Sequence, residues 1–267
     1  MEECILCKEI KPLSDSHIIP RSFFQKVKKG VPQLVKLNSD LSVPPKMDNA
    51  NWNQPLLCAE CEHFLNVTYE GSQLAFLRNY KSVTKSHEKL TYRNLNFTKF
   101  YLMWLSILWR ASESKLREFE TVKLSPEINE LIRQLIKGET TVMSGVDISD
   151  IIKIGLTRIL PESGMNENVA KQMLSSPILE SSPSGFNFYF MIEGFLIFYI
   201  FSPHYSHITP KYFGEIKKSR FLRIPRIAIH KSAHATRFFN QMITIAKTYP
   251  QWREVRTAEH NNKKEPF

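Results

Sequence analysis

Two Cys-x-x-Cys pairs, Cys4/Cys7 and Cys58/Cys61, contain all four cysteines of the 267-residue chain. Cysteine thiolates on two tight turns can converge on one tetrahedral ion, and zinc is the metal that prefers this arrangement. Four thiolates leave a zinc ion without an open position, so we expect the metal to stabilise the fold and take no part in catalysis. The alternative is that the four thiols are reduced and bind no metal.

One histidine, His17, lies between the two pairs in the string Ser-His-Ile-Ile-Pro, which ends at Pro20. Histidine exchanges a proton near neutral pH and serves most often as the general base in enzymes. A histidine inside a zinc-stabilised frame favours a small metal-dependent active site, and nucleic-acid cleavage is the chemistry that this combination indicates first. The alternative for His17 is a structural histidine whose hydrogen bonds are satisfied.

The string and the second cysteine pair together resemble the motifs of the HNH, or ββα-metal, endonucleases. That family has His-Ile-x-Pro inside a zinc-knuckle frame and a middle Asn shortly before a Leu-Cys-x-x-Cys segment. The matching residues here are His17 to Pro20, Asn53, and Leu57 to Cys61, so the resemblance covers about residues 1–70. It implies an N-terminal domain that hydrolyses phosphodiester bonds in DNA and, as a looser association, a part in antiviral defence against phages.

The resemblance also implies roles for individual residues. His17 would be the general base that activates water for attack on a phosphodiester, and Asn53 would brace the hairpin that presents it. Arg21, directly after the string, would contact the nucleic acid. Residues 94–267 resemble no named fold. If the first part is a nuclease, they would set its choice of substrate or bind a protein partner.

For a catalytic metal, the resemblance implies ligands in the first turns of a helix after Cys61. Glu62 and Asn66 are four residues apart and would share one face of that helix. Their carboxylate and amide oxygens favour Mg²⁺ or Mn²⁺ over zinc, and such an ion would polarise the phosphate. His63 and Glu70 are the alternative ligands.

Ser16 departs from the family pattern, because many members have an aspartate or a histidine at that position. A neutral hydroxyl is a poor ligand for a hard dication. Asp15 is the candidate replacement, although strand alternation places it on the opposite face from Ser16. This departure leaves open a second function, a catalytically inactive, zinc-stabilised subunit that binds nucleic acid or another protein.

The formal net charge of +10 favours polyanionic partners. The excess lies near the C-terminus, where residues 211–267 carry 13 Lys and Arg against 4 Asp and Glu. We predict a nucleic-acid contact surface there, around Phe221. Its basic members are Lys217, Lys218, Arg220, Arg223 and Arg226. The alternative is a solvated strand edge that charge protects from aggregation.

Two further histidine pairs, His204/His207 and His230/His234, have spacings compatible with metal binding. No acidic residue lies close to either pair in the sequence, so we interpret them as surface histidines. For His230 and His234, which lie among basic residues, contact with phosphate is a better hypothesis than a metal.

The chain opens with Met1-Glu2-Glu3-Cys4, which lacks the apolar segment of a signal peptide. The longest apolar run, residues 186–201, falls short of the ~20 residues that span a bilayer and is interrupted by Glu193-Gly194. These features predict a cytoplasmic protein with reduced thiols and no membrane partner.

Periodicity and turn signals predict an α+β fold with a small zinc-stabilised, HNH-like domain over residues 1–93. A larger, mixed helical domain with a late β-hairpin is predicted over 94–267. The predicted helices cover 62–81, 99–119, 125–137, parts of 147–174, and 233–247. The predicted strands are 186–192 and 195–201, which form the hairpin, and 221–229, where Pro225 favours an edge position.

Overall fold

The computed structural model describes residues 1–28, 34–36, 46–48, 52–139, 147–165, 170–183, 185–201 and 211–249. Helices and strands both contribute extensively to these ranges, which confirms the predicted α+β class. None of the helices in the described ranges is long and apolar enough to cross a membrane.

The N-terminal part of the chain is built on two antiparallel strands and the helix that follows them. Its strands are β1 (Glu2–Glu3), β2 (Ile10–Lys11), β3 (Leu13–His17), β4 (Leu34–Lys36), β5 (Lys46–Asp48) and β6 (Asn53–Cys58), and its helices are α1 (Arg21–Val27), α2 (Ala59–Leu65) and α3 (Gly71–Arg78). Strand β3 pairs with β6, with Leu13 opposite Cys58 and His17 opposite Asn53. The pairing brings the histidine string and the second cysteine pair into one unit.

A π-helical turn, Asn66–Glu70, joins α2 to α3 in one continuous helical run. The Gly71 N–H donates to the carbonyl of Asn66, five residues earlier, which is the hydrogen bond that defines a π-turn. The helix predicted over 62–81 is therefore present, but it begins at Ala59, ends at Arg78 and contains this wider turn.

One large sheet forms the centre of the remaining chain. Its strands are β7 (Val83–Lys85), β8 (Lys89–Arg93), β9 (Ile152–Leu160), β10 (Ile178–Ser182), β11 (Gly185–Ile192), β12 (Phe195–Phe201), β13 (Gly214–Glu215) and β14 (Phe221–Ala228). They are ordered β10-β11-β12-β9-β14-β8-β7, with β13 beside β9. The predicted hairpin is confirmed as β11 and β12, whose turn residues Glu193 and Gly194 both have positive φ.

Among the described residues, the α-helices of this part of the chain are α4 (Phe97–Glu113), α5 (Pro126–Lys137), α6 (Ile148–Ile151) and α7 (Ala233–Thr248). Helix α4 is buried from Phe100 to Ser112 and forms the centre of the core. The Asn96 side chain caps its first turn by accepting a backbone N–H at 3.1 Å. Helix α4 was predicted to end at residue 119, but it ends at Glu113. The segment Arg117–Phe119 forms a separate 3₁₀ turn.

The mixed helical prediction over residues 147–174 is wrong. The described part of this range is helical only at Ile148–Ile151 and in the short 3₁₀ turn Ala170–Gln172. Ile152–Leu160 is instead the central strand β9, which pairs with β12 and with β14. A strand buried on both faces lacks polar alternation, so its apolar run is easily taken for part of a buried helix.

Strand β14 lies between β8 and β9, so the prediction that Pro225 marks an edge strand is wrong. Residues 221–225 pair antiparallel with β8, and residues 226–228 pair in parallel with β9. Pro225 therefore lies where the pairing passes from one neighbour to the other. Such an irregular position tolerates a residue without an N–H even in the interior of a sheet.

One continuous core joins the cysteine-bearing part of the chain to the large sheet. It extends from Cys4 to Ile224 and includes most of α4. Strands β7 and β8 precede residue 94, yet they belong to the same sheet as β14. The predicted boundary between 1–93 and 94–267 thus falls where sheet and core are continuous, and the division into two domains stays a prediction.

Candidate metal centre and adjoining cleft

The four cysteines lie together near one end of the β3–β6 pair. Their Sγ atoms are all within 4.8 Å of one another, and those of Cys7 and Cys58 are 4.0 Å apart. Thiolate sulfurs around a tetrahedral zinc ion are about 3.8 Å apart, because each Zn–S bond is about 2.3 Å long. The cysteines therefore form a cluster that could hold a metal ion such as zinc.

Backbone hydrogen bonds shape the first cysteine pair for this role. The Lys8 N–H donates to the Cys4 carbonyl at 2.8 Å and closes a tight turn, and the Cys58 N–H donates to the Cys4 sulfur at 3.3 Å. Burial raises the pKa of the Cys4 thiol, but backbone donors at Cys7, Cys58 and Leu6 outweigh it and lower the pKa to about 7. A thiol that ionises near neutral pH is well suited to bind a metal.

The other end of the β3–β6 pair presents His17. Its backbone lies opposite that of Asn53 in the strand register. The next residue, Ile18, donates its N–H to the Trp52 carbonyl at 2.9 Å and extends the pairing by one step. Asn53 is therefore next to the backbone of the histidine, as its predicted bracing role requires.

Ser16 is fully buried, and its hydroxyl is hydrogen-bonded to the main chain. Its hydroxyl accepts the Leu57 N–H at 3.0 Å and donates to the Ser14 carbonyl at 3.3 Å. The side chain therefore braces β6 against β3. This role explains why a small hydroxyl residue fits this position.

Arg110, near the end of α4, holds His17 from the side of the core. Its guanidinium donates to the His17 carbonyl at 2.7 Å and to the Glu70 carboxylate at 2.6 Å, and the side chain is only 1% exposed. These bonds tie β3 and the π-turn to the central helix. Sequence reasoning missed Arg110, although a lone basic residue in an apolar helix is a signal of a buried ion pair.

A cleft of about 560 Å³ opens between the end of β3, helix α1 and the α2–α3 helical run. Several residues that the sequence singled out line it together, namely His17, Arg21, Glu62, His63, Asn66 and Glu70. Two separate segments of the chain, 17–21 and 62–70, supply these side chains. The fold thus assembles the predicted base, one predicted nucleic-acid contact and most of the predicted oxygen ligands.

Arg78 at the end of α3 also lines the cleft and was not predicted. Its Nε donates to the carboxylate of Glu193, in the β11–β12 turn, at 3.2 Å, and its guanidinium reaches the Ser22 carbonyl at 3.1 Å. The Glu193 side chain is only 5% exposed. The hairpin of the large sheet therefore holds one wall of the cleft in place.

Three buried atoms of cleft residues have no hydrogen-bond partner among the described residues, namely His17 Nε2, Ser22 Oγ and Glu62 Oε1. Burial lowers the pKa of His17, and the charges of Arg21 and Arg110 lower it further, so the imidazole is neutral at pH 7. Burial raises the pKa of the Glu62 carboxyl, against the opposing effects of Ser16 and Arg110. A neutral imidazole can accept a proton, and a poorly solvated carboxylate gains from a nearby cation.

The predicted ligands of a catalytic metal do not form a second cluster like that of the cysteines. Within the described ranges, the cysteines are the one group of three or more His, Cys, Asp or Glu side chains whose ligand atoms lie together. Glu62, His63 and Asn66 line the cleft, whereas Asp15 is exposed and lies outside its lining. The cleft offers carboxylate and amide oxygens, but no preformed cage.

The predicted basic surface near the C-terminus is divided in the structure. Lys217 pairs with Glu215 at 3.3 Å, and Lys218 pairs with Asp147. Arg226 donates to a main-chain carbonyl in the turn between β7 and β8. These three cations serve contacts within the protein.

Arg220 and Arg223, the other members of that surface, are exposed. The Arg223 guanidinium lies 5.5 Å from the centroid of the Phe221 ring. Neither arginine lines the cleft that contains His17. The basic stretch and the cleft are therefore separate features of the surface.

His230 and His234 have acidic partners that are distant in sequence. His230 Nδ1 lies 2.9 Å from the Glu162 carboxylate, and His234 Nε2 lies 3.0 Å from that of Glu180. Both histidines thus take part in contacts within the protein. The other pair, at positions 204 and 207, lies outside the described residues.

No family model matches the chain, and no curated protein and no solved structure is significantly similar to it. The HNH resemblance accordingly stays a prediction from motifs within residues 1–70. A functional conclusion has to rest on the cleft and the residues that line it.

Proposed function

We propose that the protein is a metal-dependent endonuclease that hydrolyses phosphodiester bonds in DNA at this cleft. The observation that carries the proposal is that His17 Nε2 and Glu62 Oε1, two of the three buried lining atoms without described partners, belong to one cleft; the third is Ser22 Oγ. Unpaired buried polar atoms are costly, so a cleft that retains several of them is well suited to a ligand that supplies the missing hydrogen bonds or a coordinated cation.

His17 would act as the general base. Its lowered pKa keeps the imidazole neutral, so Nε2 can take a proton from water as the water oxygen attacks phosphorus. The bond from phosphorus to the leaving nucleotide oxygen then breaks, and that oxygen takes up a proton. Arg110 would be a positioning residue, because it holds the backbone of His17 and does not touch the reacting atoms.

Arg21 and Arg78 line the same cleft, where Arg78 also pairs with Glu193. Guanidinium groups bind phosphate oxygens through charge-assisted hydrogen bonds. The bond from Arg78 to Glu193 restricts the motion of that side chain. We therefore assign both arginines to binding the DNA backbone.

The residues at the cleft also fit a hard divalent cation. Glu62 has a carboxylate oxygen without a described partner, and Asn66 supplies an amide oxygen one helical turn later. Mg²⁺ commonly takes only one or two protein carboxylates and completes its shell with water and substrate phosphate. When bound, Mg²⁺ or Mn²⁺ would polarise the phosphate. Zinc at the cysteine cluster would serve the fold alone.

Cleavage of supercoiled plasmid DNA tests the proposal. We expect nicked or linear product with Mg²⁺ or Mn²⁺ and none without added metal. Glu62→Gln should lower the rate at least about tenfold at limiting metal, because it removes a charged ligand. Glu88→Gln, which neutralises an exposed glutamate in the β7–β8 turn, should leave the rate unchanged. Failure of the wild-type protein to cleave DNA with either metal would refute the proposal.

The position of Ser16 favours a second candidate, a zinc-stabilised subunit that binds nucleic acid or a protein partner without catalysis. Its hydroxyl is committed to the Leu57 N–H, at a position where many HNH proteins place a metal ligand. Salt-dependent DNA binding without cleavage would support this candidate. A protein partner would instead persist in pull-down experiments after nuclease treatment.

A role in defence against phages would extend either candidate. It rests on the family association alone. Plating efficiency of phages on cells that express the wild-type chain or the His17→Ala variant tests it. Equal plating on both strains and on empty-vector cells would contradict a role in defence.

A further inference from the structure

The large sheet is covered differently on its two faces. One face packs against α4 through buried side chains such as Leu90, Tyr92 and Leu222. On the second face, α7 covers the half formed by β11 and β12, where the Phe238 ring lies 5.8 Å from that of Tyr189. Over β7, β8 and the first part of β14, the second face is largely exposed.

Strand alternation determines which side chains occupy this exposed half. Residues 90 and 92 of β8 and residues 222 and 224 of β14 face the core, so their neighbours face the opposite way. We call this group the open sheet face. It consists of Thr84, Lys89, Thr91, Arg93, Phe221, Arg223 and Pro225.

An aromatic ring lies between two arginines on the open sheet face. Phe221 is directly opposite Arg93 in the register, and the Arg223 guanidinium is 5.5 Å from the Phe221 ring centroid. Cross-strand neighbours on one face have Cβ atoms about 5 Å apart, so the three side chains form one patch. The ring is 42% exposed, which is unusual for a phenylalanine.

The cations of this patch differ from those nearby in the sequence. Lys217 and Lys218 each have a carboxylate partner. No ion pair joins Lys89, Arg93 or Arg223 to a carboxylate of the described residues, and the other members of the face are uncharged, namely two threonines, Phe221 and Pro225. The open sheet face therefore combines unpaired positive charge with an accessible aromatic surface.

We propose that the open sheet face binds a single strand of nucleic acid. Lys89, Arg93 and Arg223 would contact successive phosphates, and one base would stack on Phe221. A single strand is favoured over a duplex because its bases can turn out onto an aromatic side chain on a sheet surface. An acidic protein segment would use the cations but would leave the exposed ring without a matching partner.

This site is distinct from the proposed catalytic cleft. The open sheet face lies on the side of the sheet that faces away from α4, whereas Arg110 of α4 contacts the cleft residues. None of its members lines the cleft. The inference therefore goes beyond the proposed cleavage, and either proposal can fail while the other holds.

Binding of a fluorescein-labelled oligo(dT) of about 15 nucleotides tests the inference by fluorescence anisotropy, without added Mg²⁺ or Mn²⁺ and at several salt concentrations. The double variant Arg93→Ala/Arg223→Ala should bind at least about tenfold more weakly, and its slope of log affinity against log salt should be shallower by about 1.4. The matched control is Lys115→Ala/Arg117→Ala, which removes two exposed cations elsewhere and should change affinity less than about twofold.

Substitutions of the ring separate stacking from charge attraction. Phe221→Leu should weaken oligo(dT) binding at least about fivefold, whereas Phe221→Tyr should retain it. Equal affinity of both variants, or equally effective competition by polyglutamate, would overturn the proposal in favour of an acidic polypeptide. Absence of oligo(dT) binding by the wild type at low salt would also overturn it. His17→Ala should bind as the wild type does, whether or not the protein cleaves DNA.

Discussion

The guanidinium of Arg110 donates to the backbone carbonyl of His17 at 2.7 Å, across 93 positions of sequence. The same guanidinium pairs with Glu70 in the π-turn at 2.6 Å. One buried side chain of the central helix therefore fixes both the strand that carries the candidate base and the helical run that carries the candidate metal ligands. The cleft depends in this way on the core of the larger part of the chain.

We predict that Arg110→Ala lowers the free energy of unfolding by about 3 to 5 kcal/mol, because it leaves the Glu70 carboxylate and the His17 carbonyl without their buried partner. Urea denaturation of the two proteins measures the difference. The control is Arg117→Ala, an exposed arginine whose removal should cost less than about 0.5 kcal/mol. Equal costs for the two variants would contradict the structural role of Arg110.

We predict that the purified protein contains about one zinc ion per chain and that Cys58→Ser loses most of it. Because binding of a structural metal contributes directly to folding, this variant should melt at least about 5 °C lower. Elemental analysis and thermal unfolding measure the two effects. Cobalt-substituted protein should show thiolate-to-metal absorption that Cys58→Ser changes. Metal-free protein with an unchanged melting temperature in strong chelator would speak against the metal centre.

The ion pair between Glu130 and Arg133 should make stability depend on pH in the acid range. The Arg133 guanidinium lowers the pKa of Glu130 from 4.5 to about 2, so its stabilising effect is present above pH 4.5 and is lost as the pH falls towards 2. Glu130→Gln should cost less than about 1 kcal/mol at pH 7, since the carboxylate is partly exposed. Urea titrations of the wild type and Glu130→Gln at pH 7, 5 and 3 should show that their difference in free energy of unfolding shrinks as the pH falls. A difference that stays constant would contradict the prediction.

The sequence was most informative where chemistry is encoded at short range. Two tight cysteine pairs predicted the cluster, and two aromatic and β-branched runs separated by Glu193-Gly194 predicted the β11–β12 hairpin. The string around His17 indicated which side chain to expect at a cleft. These features depend on residues a few positions apart, and such spacings survive in a single sequence.

Contacts between distant segments could not be predicted in the same way. Arg78 meets Glu193 across 115 positions, and no local pattern pairs them. Strand β9 was taken for helix because it is buried on both faces of the sheet, so its polar and apolar residues do not alternate as they do in a half-exposed strand. Pro225 was predicted to lie in an edge strand because no local pattern shows that β14 changes its pairing partner there. That change depends on β8 and β9, which come from two separate parts of the chain.

The most direct test of the central claim compares the cleavage rate of plasmid DNA by the wild type, His17→Ala and His87→Ala under single-turnover conditions with Mg²⁺ or Mn²⁺. His87 is an exposed histidine outside the cleft, so its loss controls for removal of an imidazole. We predict that His17→Ala lowers the rate about 10² to 10⁴-fold while His87→Ala leaves it unchanged. Wild-type cleavage that survives intact in His17→Ala would contradict the assignment of the cleft as the active site.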